Sequence, residues 1–381
     1  MKVFITDAEN KHTLAAVRSL GKKGVYTIAG SSIKHAQSFY SKYCKERVVY
    51  PNPKNGEKFV NYLLNFLKES EIDVLLPIGY TVTTILSKFK NNFSPYVGIP
   101  IANYEVMKIA SDKNETIKLA QSIGIKTPKT IFVDERKVVN ELDLNFPVVI
   151  KGVVESGHIC YANSYKELLT KLENNQNSLL QEYIPGEGYG FFGLFNHGEP
   201  RAIFMHKRIR EYPITGGPST VAESIYDPKL KNAGLKILKE LNWHGVAMVE
   251  FKKDSRDGEF KLMEINPKFW GSLDLAIASG VDFPYLACKM AVEGDVEPVF
   301  EYETGVRFRW LLPDDFLHLL ASPSSAKDFF GDFFDKNVKY NIRLSDIKPN
   351  LFQIAQTGFR VISLIRDKKL KYPHGKPEEV S

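Results

Sequence analysis

The sequence predicts an α/β half built on a doubly wound parallel sheet, followed by an α+β half built on antiparallel strands. Three observations carry this reading. Over the first hundred residues, short apolar runs alternate with segments of helical periodicity. From about residue 111 short strands follow one another with few helical interruptions. The dipeptide His197-Gly198 separates two strand-like runs as a hairpin turn would.

Taken in order, residues 3–6 form an apolar run, and a helix over 13–20 is expected to stop at Gly21. Strands are predicted at 25–29 and 48–50, the latter stopped by Pro51, and residues 59–67 repeat apolar positions at helical spacing. Strands at 74–76 and 97–99 each end at a proline, Pro77 and Pro100. A helix over 111–122 is then broken by Gly124 and Pro128. Strands follow at 131–133, 148–150, 159–162, 179–183, 191–195 and 202–209, with helices at 165–172 and 229–241. The first strand–helix turn has no GxGxxG, so no dinucleotide fingerprint is read there. The carboxyl ends of the parallel strands remain the place where that half would bind a small molecule.

Composition narrows the function classes. Hydrophobic residues make up 43% and charged residues 25%, the balance of an ordinary globular protein. No run approaches the roughly 18 apolar residues of a membrane span, and the opening MKVFITDAENKH reads as strand and turn rather than signal peptide. Cys44, Cys160 and Cys288 are far apart, which argues against disulfides and zinc and suits a cytoplasmic setting. Lys and Arg exceed Asp and Glu by only 6, and the one basic cluster, His206, Lys207, Arg208 and Arg210, suits a phosphate or carboxylate rather than nucleic acid.

The sharpest feature is MVEFKKDSRDGEFKLMEIN. Asp257-Gly258 is a hairpin turn signal. A hairpin centred on Asp257 sets Glu250 opposite Glu264, with Asn266 on the same face. Val249, Phe251, Met263 and Ile265 then fall on the other face as core. Opposed carboxylates repel, and a hard cation held by oxygen ligands removes the penalty, so the triad points to magnesium. The bland alternative is two solvated glutamates.

Three further segments are suggestive. Lys113 stands in the first turn of a helix capped by Ser111 or Asp112, where a cation opposes the helix dipole unless an anion binds there. Lys151 ends the apolar run FPVVIK and needs a counter-charge, which a phosphate would supply. In LLQEYIPGEGYG a strand runs through Glu182 into a Pro185-Gly186 break and Glu187. In HKRIREYPITGGPST a strand would place His206, Arg208 and Arg210 on one face, ahead of a pliable Thr215-Gly216-Gly217-Pro218 loop. Its structural alternative is a basic edge strand that resists aggregation.

These segments, in this order, resemble the ATP-grasp superfamily from about residue 111 to 271, and EFKKDSRDGEFKLMEINPKFWGS looks like the metal hairpin of its carboxylate–amine ligases, including carbamoyl-phosphate-synthase-like members. The resemblance implies a pre-ATP-grasp domain over 1–105, ATP-grasp lobes over 106–180 and 181–300, and an extension over 301–381 without an assigned role. It implies Glu250, Glu264 and Asn266 as magnesium ligands, with manganese an acceptable substitute. Lys113 and Lys151 would contact ATP phosphates under a loop containing Ser156 and Gly157. Glu182, with the backbone of Tyr183 and Ile184, would hold adenine, and Glu187 the ribose. Arg208, Arg210 or Lys268 would steady the transferring group; the family often has arginine at the position of Lys268. The implied reaction joins a small-molecule carboxylate to an amine with release of ADP. The partners are those two substrates, without nucleic acid or membrane span, and with room for a homodimer. A kinase on the same fold and a nucleotide-binding module without turnover are the competing readings.

Overall fold

The structure, a computed structural model, describes residues 1–132, 145–154, 159–173, 178–367 and 370–371. Its first unit is a parallel sheet of β1 (Lys2–Ile5), β2 (Tyr26–Ser31), β3 (Cys44–Val49) and β4 (Val74–Leu76), ordered β3-β2-β1-β4. Alternation along β1 explains the two covered faces. Val3 and Ile5 meet Ala16, Val17 and Leu20 of the helix Lys11–Lys22. Phe4 meets Phe59 and Leu63 of the helix Gly56–Glu69. The expected strand at 97–99 reduces to a single bridge from Gly98 to Val74. Gly21 does not end its helix, because the chain reverses only at Gly24, where φ is +78°.

A small antiparallel sheet follows: β5 (Thr130–Phe132), β6 (Val148–Gly152), β7 (Ile159–Ala162) and β8 (Ser178–Glu182), ordered β5-β8-β6-β7. The helix expected over 111–122 runs over Lys113–Ser122, and a helix without a sequence signal, Tyr104–Ser111, precedes it across Asp112. The Asp112 carboxylate caps the later helix by accepting from the Asn114 and Glu115 amides.

The large sheet runs β13-β12-β9-β10-β11-β14-β15. It is formed by β9 (Gly186–Asn196), β10 (Glu199–Glu211), β11 (Ser219–Ser224), β12 (Gly245–Asp254), β13 (Phe260–Asn266), β14 (Arg307–Arg309) and β15 (Val338–Tyr340). The last two belong to the extension, so the segment after residue 300 continues the sheet rather than forming a separate unit. The boundary expected at 180 falls within β8, which ends at Glu182. Three strands had no sequence signal: β11 reads STVAES, and β14 and β15 are three residues each. The strand β10 is central, flanked by β9 and β11, which removes the reading of a basic edge strand.

A buried charge cluster fixes the extension. Asp315 is fully buried and accepts from Arg210 at 2.9 and 3.0 Å, from Arg309 at 2.6 Å and from the Thr220 hydroxyl at 2.9 Å. The Arg309 guanidinium lies 3.9 Å from the Phe329 ring centroid. Asp346 ties the far end to the first unit, accepting from Arg18 at 2.8 Å and from the Lys42 amide at 2.8 Å. Asp315→Ala leaves two buried guanidiniums short of their shared acceptor. The expected loss is about 3–5 kcal/mol of stability in urea unfolding. Arg201→Ala, at an ion pair whose Asp295 partner is 51% exposed, should cost about 1 kcal/mol or less.

Candidate functional site

The hairpin pairs Glu250 with Glu264, Val249 with Ile265 and Met248 with Asn266, the arrangement expected from symmetry about Asp257. Beyond Glu250 the register slips, and Phe251 pairs with Leu262. Met263 is the extra residue of this bulge. It therefore lines the cavity instead of entering the core, and Leu262 takes the buried place.

Glu250, Glu264 and Asn266 form the wall of a cavity of about 360 Å³ between the large sheet and the small one. Period-two alternation adds Met248 and Lys252 from β12, and His206 and Arg208 from β10. Lys151 enters from the small sheet, and Thr215 to Ser219 close one side. The loop is held by the Tyr161 hydroxyl, which donates to the Thr215 carbonyl at 2.5 Å. Two glycines on β9 keep the floor open. A Cβ at Gly188 would lie 2.8 Å from Arg208 Cδ, and one at Gly190 would lie 3.2 Å from His206 Nε2.

The two carboxylates are balanced by different cations. Arg208 Nη2 lies 2.7 Å from Glu250, and Lys113 Nζ lies 3.2 Å from Glu264. The Asn266 amide donates to Glu264 at 3.0 Å. Burial raises Glu250 above the ordinary carboxylate range, with Arg208 opposing. Burial also works against charge on Glu264, but Lys113 and Lys151 hold it below that range. The donor set, two facing carboxylates and an amide oxygen, fits a hard divalent cation. Among the described residues no group of three His, Cys, Asp or Glu side chains could hold a metal.

Lys151 is buried and makes no ion pair among the described residues; burial pushes its ammonium down to about 8, with Lys113 adding to the fall and Glu264 opposing it. His206 is 1% exposed and burial takes it to about 3, so it is neutral. Among the described residues neither of its ring nitrogens has a hydrogen-bond partner, nor does the Trp270 indole N–H, and both rings pack on Phe192.

The expected site residues divide clearly. The cavity brings together Lys151, Glu182, Tyr183, Ile184, Arg208, Glu250, Glu264, Asn266 and Lys268, with Lys113 behind Glu264. Arg210 is a correction. The register breaks between Arg208 and Arg210, and Arg210 turns to Asp315 and Asp332 instead of the cavity. Glu187 is another. It lies one residue off the Gly188–Gly190 face, is exposed, and accepts from the Tyr189 hydroxyl at 2.9 Å. Glu182 is engaged by Arg256 at 3.1 Å and by the Lys129 amide at 2.9 Å, and the Ile184 carbonyl accepts from Lys252 at 2.6 Å. Ser156 and Gly157 lie outside the described residues. Lys252 was legible two places beyond Glu250 on the same strand face, whereas Glu211 and Trp270 carried no signal.

The family described as "ATP-grasp in the biosynthetic pathway with Ter operon" matches residues 174–312, the stretch that holds the hairpin and the basic strand. Over that stretch the chain is similar to ATP-grasp proteins. It is 24% identical over 270 residues to D-aspartate ligase of Enterococcus faecium, covering 62% of this chain and 64% of that protein. It thus spans less than two thirds of that relative's length. N5-carboxyaminoimidazole synthetase from Staphylococcus aureus, complexed with ADP, superposes with a TM-score of 0.65 at 16% identity over 86% of each chain. L-amino acid ligase from Bacillus licheniformis gives 0.63 at 15%, over 78% of this chain and 75% of that one. At these identities the two structures share the fold.

Lys151 has a stability cost whose sign can be tested. Its native pKa is about 8 against an ordinary 10.5. Below pH 8 both states are protonated and the full penalty applies, about 3 kcal/mol. Between 8 and 10.5 the unfolded chain binds the extra proton, so the Lys151 penalty shrinks as pH rises. Lys151→Met should therefore be the more stable protein in urea at pH 7. Its advantage should fall by about 1 kcal/mol per pH unit above 8.

Proposed function

We propose that the chain is an ATP-dependent ligase that activates a small-molecule carboxylate as an acyl phosphate and joins it to an amine. The observation that carries this is the facing Glu250–Glu264 pair with Asn266, set between the buried Lys151 and the Arg208 guanidinium. The D-aspartate ligase and L-amino acid ligase named above support the reaction class.

The cavity has two ends. Along β12, Lys252 leads toward Glu182, Tyr183 and Ile184, where a nucleotide base would lie between the lobes. In the other direction, Met248 and Asn266 lead toward Lys268, Trp270 and Ser272, the end open to acid and amine. Glu250, Glu264 and Asn266 would hold magnesium, with manganese accepted by the same oxygens. The ion supplies charge neutralisation at the phosphate oxygens. Lys113 and Lys151 add positive charge for the nucleotide phosphates. Arg208 sits where it can neutralise the phosphoryl group in transfer, and Lys268 where it can hold the substrate carboxylate. A carboxylate oxygen attacks the γ-phosphorus and ADP leaves. The amine nitrogen then attacks the acyl carbon, phosphate leaves, and the nitrogen loses its proton. His206, neutral and buried with its ring on Phe192, takes no part in proton transfer.

The test is ADP release across a screen of small carboxylates, amino acids among them, and amines. Release should require an acid and an amine together, and chelation of divalent metal should abolish it. Glu264→Gln should lower kcat about 10²–10³-fold while the protein stays folded. ADP release with one acceptor that keeps the phosphate would establish the kinase instead. Undiminished metal-dependent turnover in Glu264→Gln would remove Glu264 from the metal site.

A further inference from the structure

The C-terminal helix Lys348–Arg366 is amphipathic the wrong way round for a helix docked on a globular protein. Its inner face carries polar groups. Asn350 accepts from Arg18 at 3.1 Å and donates to Gln353 at 2.9 Å, and Gln353 donates to Gln37 at 2.7 Å. Near its start Phe352 stacks on Tyr40, with ring centroids 5.0 Å apart, and toward the end Val361 and Leu364 join an apolar cluster with Tyr212 and Leu317. The outer face is apolar. Leu351 is 56% exposed, Ile354 52%, Ile362 67% and Ile365 57%, with Phe359 beside them at 77%. Leu351, Ile354, Ile362 and Ile365 recur at helical spacing, with Ala355 and Gly358 between them, and so form one stripe along about 21 Å of helix.

The charge on this helix selects what covers the stripe. Residues 348–366 contain Lys348, Arg360 and Arg366 and no carboxylate. The sequence beyond adds Lys368, Lys369, Lys371 and Lys376 against Asp367, Glu378 and Glu379, and Asp367 pairs with Arg366 at 3.1 Å. Two copies of an acid-free helix brought face to face would juxtapose like charges. An anionic lipid surface accepts the cations and buries the isoleucines together. The helix is not long and apolar enough to cross a bilayer, so it would lie in the interface plane. We infer that the outer face of this helix is a docking surface for an anionic lipid bilayer. It sits in the extension, on side chains that take no part in the nucleotide cavity, and stands independently of the ligase reading.

The full-length protein is sedimented with vesicles of phosphatidylcholine mixed with phosphatidylglycerol, and with vesicles of phosphatidylcholine alone. The protein should partition onto the anionic vesicles and be released by salt. Ile362→Asp and Phe359→Asp, both at exposed positions, should each lower partitioning at least about tenfold with an unchanged melting temperature. Lys348→Glu combined with Arg366→Glu should abolish the preference for anionic lipid. Absence of partitioning, or equal partitioning of the aspartate variants, overturns the inference. So does sedimentation velocity showing a dimer that both aspartate variants dissolve, because the stripe would then bind a second copy of this chain.

Discussion

Two carboxylates set directly opposite each other on an antiparallel ladder are a liability that the surrounding structure must answer. Glu250 and Glu264 sit in that relation, and burial strengthens their repulsion. The answer comes from separate elements. Arg208 reaches Glu250 from β10, and Lys113 reaches Glu264 from the start of a helix in the preceding segment. Lys151 adds its charge from the small sheet. A cluster so assembled constrains where the lobes can stand relative to each other. The glycine at 188 is part of the same constraint, since a side chain there would collide with Arg208, and one at 190 would collide with the Phe192 ring on which His206 packs.

The neighbouring residues Arg208 and Arg210 show how a small break in regularity divides labour. In an unbroken strand both would face the cavity. The shift in pairing with β11 between them sends Arg210 into the Asp315–Asp332 cluster, where it holds the extension. One arginine lines the cavity and the other carries structure. Asp315 binds both Arg210 of β10 and Arg309 of β14, so the extension is locked to the strand that presents Arg208.

The hairpin was legible because its turn is a local signal and its period is two, so symmetry about Asp257 set Glu250 opposite Glu264 with Asn266 on the same face without any long-range information. The parallel unit was legible for the same reason, each strand and helix being decided within a dozen residues. What was hidden depended on register. No sequence rule places the bulge that moves Met263 into the cavity, or the slip that removes Arg210 from it. Glu187 was misjudged because the break at Pro185-Gly186 gave no phase for the strand that follows. With β9 paired to β12 through Gly190 and Glu250, its phase is fixed and Glu187 faces away. The strands β14 and β15 are too short for any periodicity and exist because Arg309 has a buried partner.

The charge balance of the cavity bears on what fills it. Glu182 is answered by Arg256, and Glu250 and Glu264 by Arg208 and Lys113. Arg208 also reaches Glu211, at 3.5 Å, so Lys151, Arg208, Lys252 and Lys268 balance Glu182, Glu211, Glu250 and Glu264 along the lining, and Lys113 and Arg256 add positive charge from just outside it. A polyanion such as a nucleoside triphosphate would place negative charge beside Lys151 and let it keep a proton that burial otherwise loosens. A neutral or cationic ligand would leave the buried ammonium unanswered, at the cost its depressed pKa records. The lysine is thus unfavourable to the empty fold and favourable to the filled one, which supports reading this cavity as a polyanion site.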